Sequence, residues 1–240
     1  MKVAIAHYHL NRGGVTRVIL NHLRALATVS SGEPVQVLLL YGGRNQGWPD
    51  DGTDTFSGVS LEKAIVPALE YDDGVPHEGE LANDLRECLS EHGFGVDETV
   101  LHVHNHALGK NVSLPGAIST MARRGQRCLL QVHDFAEDFR PTNFGRLSAA
   151  LNAGKGGAVL ANQLYPQSGR IHYAVLNGRD RHVLSAAGVR EPRLHLLPNP
   201  VSLPDELPQR DVARKRLQSE YGIGPDRRFE IGRASCRERV

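Results

Sequence analysis

Val37-Leu-Leu-Leu40 is apolar at every position, so a strand built from it has to be covered on both faces. Such a strand belongs inside a parallel sheet with helices above and below. The rest of the chain fits that demand. Short apolar runs predict strands at Val3–His7, Val35–Tyr41, Ala64–Val66, Val100–His104, Cys128–His133, Ala158–Leu160, His172–Leu176 and Leu194–Leu197. Between them, apolar residues recur at helical spacing over Val15–Ala27, Gly79–His92, Leu114–Arg124, Phe144–Asn152 and Asp180–Ala187. Alternating strands and helices imply an α/β protein with a doubly wound, mostly parallel sheet.

The 240 residues suffice for one complete domain and part of another. Gly42 to Gly58 is rich in Gly, Asp and Thr and reads as a surface loop. A proline-rich stretch from Pro198 to Pro208 reads as a linker, after which Gln209–Tyr221 resumes as a charged amphipathic helix. The expected organisation is therefore a domain over 1–200, then a linker and the first helix of a truncated second domain over 201–229. Residues 230–240 have no apolar periodicity, and Ile231–Val240 resembles one reading frame of a common sequencing adapter. Without the three arginines and one glutamate of Ile231–Val240, 25 basic and 26 acidic residues remain. That balance, with no dense basic stripe, argues against nucleic acid as a partner. Cys88, Cys128 and Cys236 have no metal spacing, Met1 leads straight into a strand, and no long apolar run is present. These features imply a reducing, cytoplasmic setting.

Gly13-Gly14 stands between the first strand and the first helix. Amides at a helix start point outward unpaired, the helix dipole favours negative charge there, and glycine lets a phosphate approach the backbone. The spacing does not meet the G-x-G-x-x-G fingerprint of nicotinamide sites. Gly154-Lys155 does not complete a Walker A loop, because Ala149 and Gly156 occupy positions that need Gly and Ser or Thr. Ligands of open α/β sheets bind at the carboxyl ends of the strands. Four polar clusters fall at such ends. They are His7-Tyr8-His9 with Gly13-Gly14, His102-Val-His104-Asn105-His106 with Lys110, His133-Asp134, and Asn177-Gly-Arg-Asp180.

Histidines at 102, 104 and 106 would face one way on a strand, which invites a metal reading. The acidic residues nearby complete no hydrolase signature, so the expectation is no metal, with the histidines lining a polar cleft or sitting hydrogen-bonded in the core.

In order, Gly13-Gly-Val-Thr-Arg-Val-Ile-Leu20, His102-Val-His104, Gln131-Val-His133-Asp134 and Leu197-Pro-Asn-Pro-Val201 resemble the family 4 retaining glycosyltransferases of the GT-B fold. The likeness covers about residues 1–205. It implies a Rossmann-like N-terminal domain that mainly holds the acceptor. A C-terminal domain would grip a nucleotide-sugar, which is the substrate, with no cofactor and no metal. By this resemblance Gly13 and Gly14 would face the donor phosphates, and His133 would stand beside the reacting sugar as the catalytic residue. His9, His104, Asn105, His106, Lys110 and Asp134 would line the cleft or face an unknown acceptor. The family's second-domain basic residue and paired glutamates have no counterpart, so this chain alone is expected to be inactive. A membrane surface is a partner of many such enzymes, but no basic amphipathic helix here supports one. The residues also leave open a metal-dependent hydrolase built on the strand histidines, a non-catalytic sugar- or nucleotide-binding module, and a nucleotide-sugar epimerase of the same two-domain architecture.

Overall fold

The computed structural model describes residues 1–29, 32–49, 56–138, 140–152, 156–201, 209–224 and 227. Residues 50–55 of the expected surface loop, Gly154-Lys155, the linker residues 202–208 and the adapter-like 230–240 lie outside the described residues. The chain divides into two compact units, Met1–Pro200 and Val201–Val240. In the second, α7 (Arg210–Tyr221) is a charged helix ending at Gly222, whose left-handed backbone closes it.

Among the described residues, the first unit is built on seven strands: β1 (Lys2–Ala6), β2 (Val35–Tyr41), β3 (Val59–Ile65), β4 (Thr99–His104), β5 (Arg127–Val132), β6 (Ile171–Val175) and β7 (Leu194–Leu196). They pair in the order β3-β2-β1-β4-β5-β6-β7, each neighbouring pair parallel. The helices are α1 (Gly14–Val29), α2 (Glu78–Glu91), α3 (Leu114–Arg123), α4 (Pro141–Leu147), α5 (Gly157–Leu164) and α6 (Gly178–Ala186). This is a Rossmann-like α/β arrangement. The chain runs outward from β1 in one direction, then restarts from β4 in the other, so β1 and β4 flank the switch point. Among the described residues, no helix is long and apolar enough to cross a membrane.

The uninterrupted run in β2 does what its composition demands. Val37 and Leu39 enter one apolar cluster with Ile5 and with Ile19, Leu20 and Leu23 of α1. Leu38 and Leu40 enter the other, with Leu101, Val103, Leu130, Val132 and Tyr173, under Leu81 and Leu85 of α2 and Ile118 and Met121 of α3. Leu184 of α6 joins this second cluster, so the helices beyond the switch point crowd one face. A third cluster of Ala107, Val112, Leu147, Leu160 and Leu164 lies under α4 and α5.

Two expectations fail. Ala158–Leu160, expected as a strand, lies within α5. A three-residue apolar run cannot separate a period of 2 from 3.6. Leu160 and Leu164, four apart, decide it by meeting the same cluster. The third strand starts at Val59 rather than Ala64. Its exposed Ser60, Glu62 and Lys63 hid an edge strand that needs apolar cover on only one side.

Loops at the carboxyl ends of β1 and β2 are stitched together. Gly42 N–H donates to Tyr8 O at 2.8 Å, Leu10 N–H to Arg44 O at 2.7 Å, and Gly47 N–H to Leu10 O at 2.9 Å. A Cβ on Gly47 would collide with the backbone of Asn11 and Arg12, just before the glycine pair. Gly47→Ala is therefore expected to destabilise the domain by about 2–3 kcal/mol, as overpacking does. Gly145→Ala, in α4 with open space around it, should be neutral or stabilise by about 0.5–1 kcal/mol. Urea midpoints of the two variants check this; equal midpoints would mean that the loops are not locked.

Candidate functional site

Asn105 organises the switch point. β4 ends at His104, and Asn105 adopts φ 54°, a left-handed conformation that asparagine tolerates better than most residues. Its side-chain Oδ1 accepts from the N–H of His133 at 2.8 Å and of Asp134 at 3.2 Å. Its own N–H donates to Gln131 O at 2.9 Å, and its carbonyl accepts from the Tyr8 hydroxyl at 2.6 Å. One residue thus joins the loops after β1, β4 and β5. Arg140 closes the far side, pairing with Asp134 at 3.2 Å.

The reversal at Asn105 also separates the three strand histidines. His102 and His104 stack at 4.4 Å between centroids, on the α1 side of the sheet. His106 crosses to the other side, where Nε2 lies 2.9 Å from Leu164 O and the ring packs against Tyr165 and Tyr173. The expectation that all three face one way is corrected by that left-handed residue, and His106 is a core histidine with 1% exposure.

His104 Nδ1 lies 2.9 Å from His133 Nε2, with the rings stacked at 5.2 Å. His102 Nε2 lies 2.9 Å from Gln131 Oε1, which accepts its proton. His22 of α1 stacks on His102 at 5.6 Å and lies tilted against His104 at 5.7 Å. Burial pushes the His102 imidazole down to about 3, His133 and His106 to about 4, and His104 well below the ordinary range. Desolvation is the leading cause in each case, because a charged ring loses more hydration than a neutral one. Near pH 7 His133 is therefore a neutral imidazole, a hydrogen-bonding group rather than a cation.

A second group lies on the β1 and β2 side. His9 Nε2 is 2.9 Å from the Tyr71 hydroxyl. Lys110 Nζ and the Arg44 guanidinium lie over the Tyr71 ring at 4.6 and 4.7 Å, and Arg44 pairs with Glu70. Tyr8 connects the two groups, with its ring 5.7 Å from Tyr71 and its hydroxyl on Asn105.

Gly13 and Gly14 are exposed at the start of α1. The first intrahelical bond runs from Arg17 N–H to Gly13 O at 3.2 Å, so the preceding amides point off the helix end. No acidic residue stands in that turn. The glycines share the carboxyl rim with His133 because α1 begins where β1 ends; among the described residues no direct contact joins the two sets.

His22 and Tyr71 were missed in the sequence. The signal for His22 was there: it sits among Ile19, Leu23 and Leu26 on the inward stripe of α1, an unusual place for a polar ring. Tyr71 carried none, because its position depends on a loop path. Asn111 is buried, donating to Ala68 O and Glu70 O at 2.8 Å.

The fold is that of a Rossmann-like domain, with polar side chains gathered on the loops at its switch point. No protein-family model matches the chain. Over 230 residues it is 24% identical to a mannosylglucosyl-3-phosphoglycerate synthase of Petrotoga mobilis (strain DSM 10674 / SJ95). That likeness covers 92% of this chain and 42% of the relative, so the chain spans less than half of the relative's length.

Asn105→Ala should cost about 2–4 kcal/mol, since it strains a left-handed position and orphans two part-buried amides. Asn105→Gly relieves the backbone strain alone and should recover about 1 kcal/mol of that loss. Chemical denaturation ranks the three proteins; equal stability of Ala and Gly variants would remove the backbone part of the argument.

Proposed function

We propose that this domain is the acceptor-side half of a retaining glycosyltransferase with two Rossmann-like lobes, moving a sugar from a nucleotide-sugar to an acceptor. The observation that carries the reading is the likeness, along nearly the whole chain, to a protein named as a mannosylglucosyl-3-phosphoglycerate synthase. The rim geometry supports it. The exposed amides at Gly13-Gly14 suit a departing diphosphate, whose charge grows as the glycosidic bond to the donor breaks. His133, kept neutral by burial and held by Asn105, suits a hydrogen bond to a hydroxyl of the reacting sugar. His9, Lys110 and Tyr71 then face the acceptor, and the Lys110 ammonium favours one that carries an anion, such as a phosphoglycerate.

In this reading the chemistry rests on positioning and on main-chain stabilisation of negative charge, with no protein nucleophile. The donor's nucleotide is gripped by the second lobe. The 240-residue chain by itself is therefore expected to transfer no sugar, whatever nucleotide-sugar is supplied with a phosphoglycerate acceptor. Measurable turnover by it would refute the two-lobe reading.

Gly14→Asp in the complete gene product places a carboxylate where phosphate must sit. It should lower kcat/KM by about 10²–10³-fold, the scale of losing an oxyanion-stabilising donor. Steady-state kinetics with a panel of nucleotide-sugars tests this, and unchanged kinetics would remove the phosphate role of the turn.

A further inference from the structure

We propose that His22, His102 and His104 form a binding site for a divalent transition-metal ion of the zinc type, tying α1 to β4. One potential ligand nitrogen from each ring lies within 4.8 Å of the other two. A single point then lies within about 2.8 Å of all three, against about 2.0–2.1 Å for a zinc–imidazole bond. Small side-chain rotations close the difference.

The hydrogen bonding around the rings points to an ion independently. Both ring nitrogens of His22 and Nε2 of His104 are out of water and have no partner. Buried polar atoms are normally satisfied, and an unpaired nitrogen on each of two rings whose ligand atoms lie within 4.8 Å of one another calls for a shared partner. The remaining bonds leave lone pairs where an ion needs them. With Gln131 Oε1 accepting from His102 Nε2, that ring's lone pair sits on Nδ1. With His104 ligating through Nε2, its Nδ1–H donates to His133 Nε2 at 2.9 Å. These are the outer hydrogen bonds that orient metal-bound histidines.

An all-nitrogen donor set selects zinc, cobalt, nickel or copper over magnesium or calcium, which take oxygen. The group includes no carboxylate among the described residues, so the site lacks the general base that metal-assisted hydrolysis uses. The ion's task is to hold. It fixes the His104 tautomer, and through it the ring of His133 presents Nδ1–H outward as a donor. This site does not depend on the glycosyl-transfer reading, since it is defined by α1 and β4 alone.

The test uses the full chain without an affinity tag, stripped with a chelator and titrated with Co²⁺ and Zn²⁺. Wild type should bind about one equivalent of cobalt with the visible absorption of a low-symmetry nitrogen site, and zinc should raise Tm. His22→Ala and the more conservative His22→Gln should each weaken binding at least about 100-fold, with far-ultraviolet circular dichroism unchanged. His195→Ala serves as the control, because the exposed His172–His195 pair, at 2.8 Å, is the competing site; its loss should change nothing. Absence of cobalt absorption and of a zinc effect in wild type overturns the proposal. So does unaltered affinity in a folded His22 variant, or loss of binding in His195→Ala.

Discussion

Much of the rim hangs from the left-handed backbone of Asn105. A parallel sheet supplies only parallel strand ends, and nothing in the ladder fixes how the loops leave them. Here a single asparagine leaves β4 in a conformation that most side chains resist, and it spends its amide, carbonyl and side chain on three other segments. Tyr8 is held on one side and His133-Asp134 on the other. Removing it would leave His133 on a loop whose N–H groups have lost their acceptor, which is why a residue with no chemistry of its own governs the placement of one that has.

Where the helices cover the sheet explains why it can carry buried imidazoles. The helices after the switch point pack on one face, where Leu101, Val103, Leu130 and Val132 meet them. On the other face, α1 brings Ile19, Leu20 and Leu23 over β1 and β2, but His22 over β4. His102 and His104 thus lie on the strip where the apolar cover runs out. Burial keeps them uncharged, and stacking at 4.4–5.6 Å packs them like aromatic side chains. The segment after β7 returns to this side, where Asn21 of α1 donates to Pro200 O at 2.8 Å.

The sheet was legible because parallel strands declare themselves. Val37 to Leu40 had to be covered twice, and each alternate residue entered a different cluster. Helices with long apolar stripes, such as α1 and α3, were equally plain. What escaped was set by partners distant in sequence. The edge strand β3 carries polar residues because only one of its faces is covered, and α5 offered too few residues to show a period. In the site, the residue types and their strand ends were readable, since topology alone gathers such ends on one rim. Their directions were not. Alternation predicts one face for His102, His104 and His106 only while the strand continues, and it stops one residue too soon. Tyr71 joins His9 to Lys110 by a loop path that no local pattern encodes.

Charge arranges the rim into two unlike halves, and the proposed chemistry follows from that division. The α1 end offers exposed amides with no acidic residue in the first turn, a partial positive charge that needs no counter-ion and cannot be titrated away. The Tyr71 end carries full charges on Lys110 and Arg44, the latter already matched by Glu70. His133 stands apart from both, at the end of β5 across β4, neutral and with its Nε2 engaged by His104. A cation there would bind a diphosphate or an acidic acceptor and hold it too well in the ground state. A neutral donor stabilises neither strongly, so in the proposed reading the attraction for anions stays with the two charged sets, and His133 is left for a hydrogen bond to an uncharged sugar.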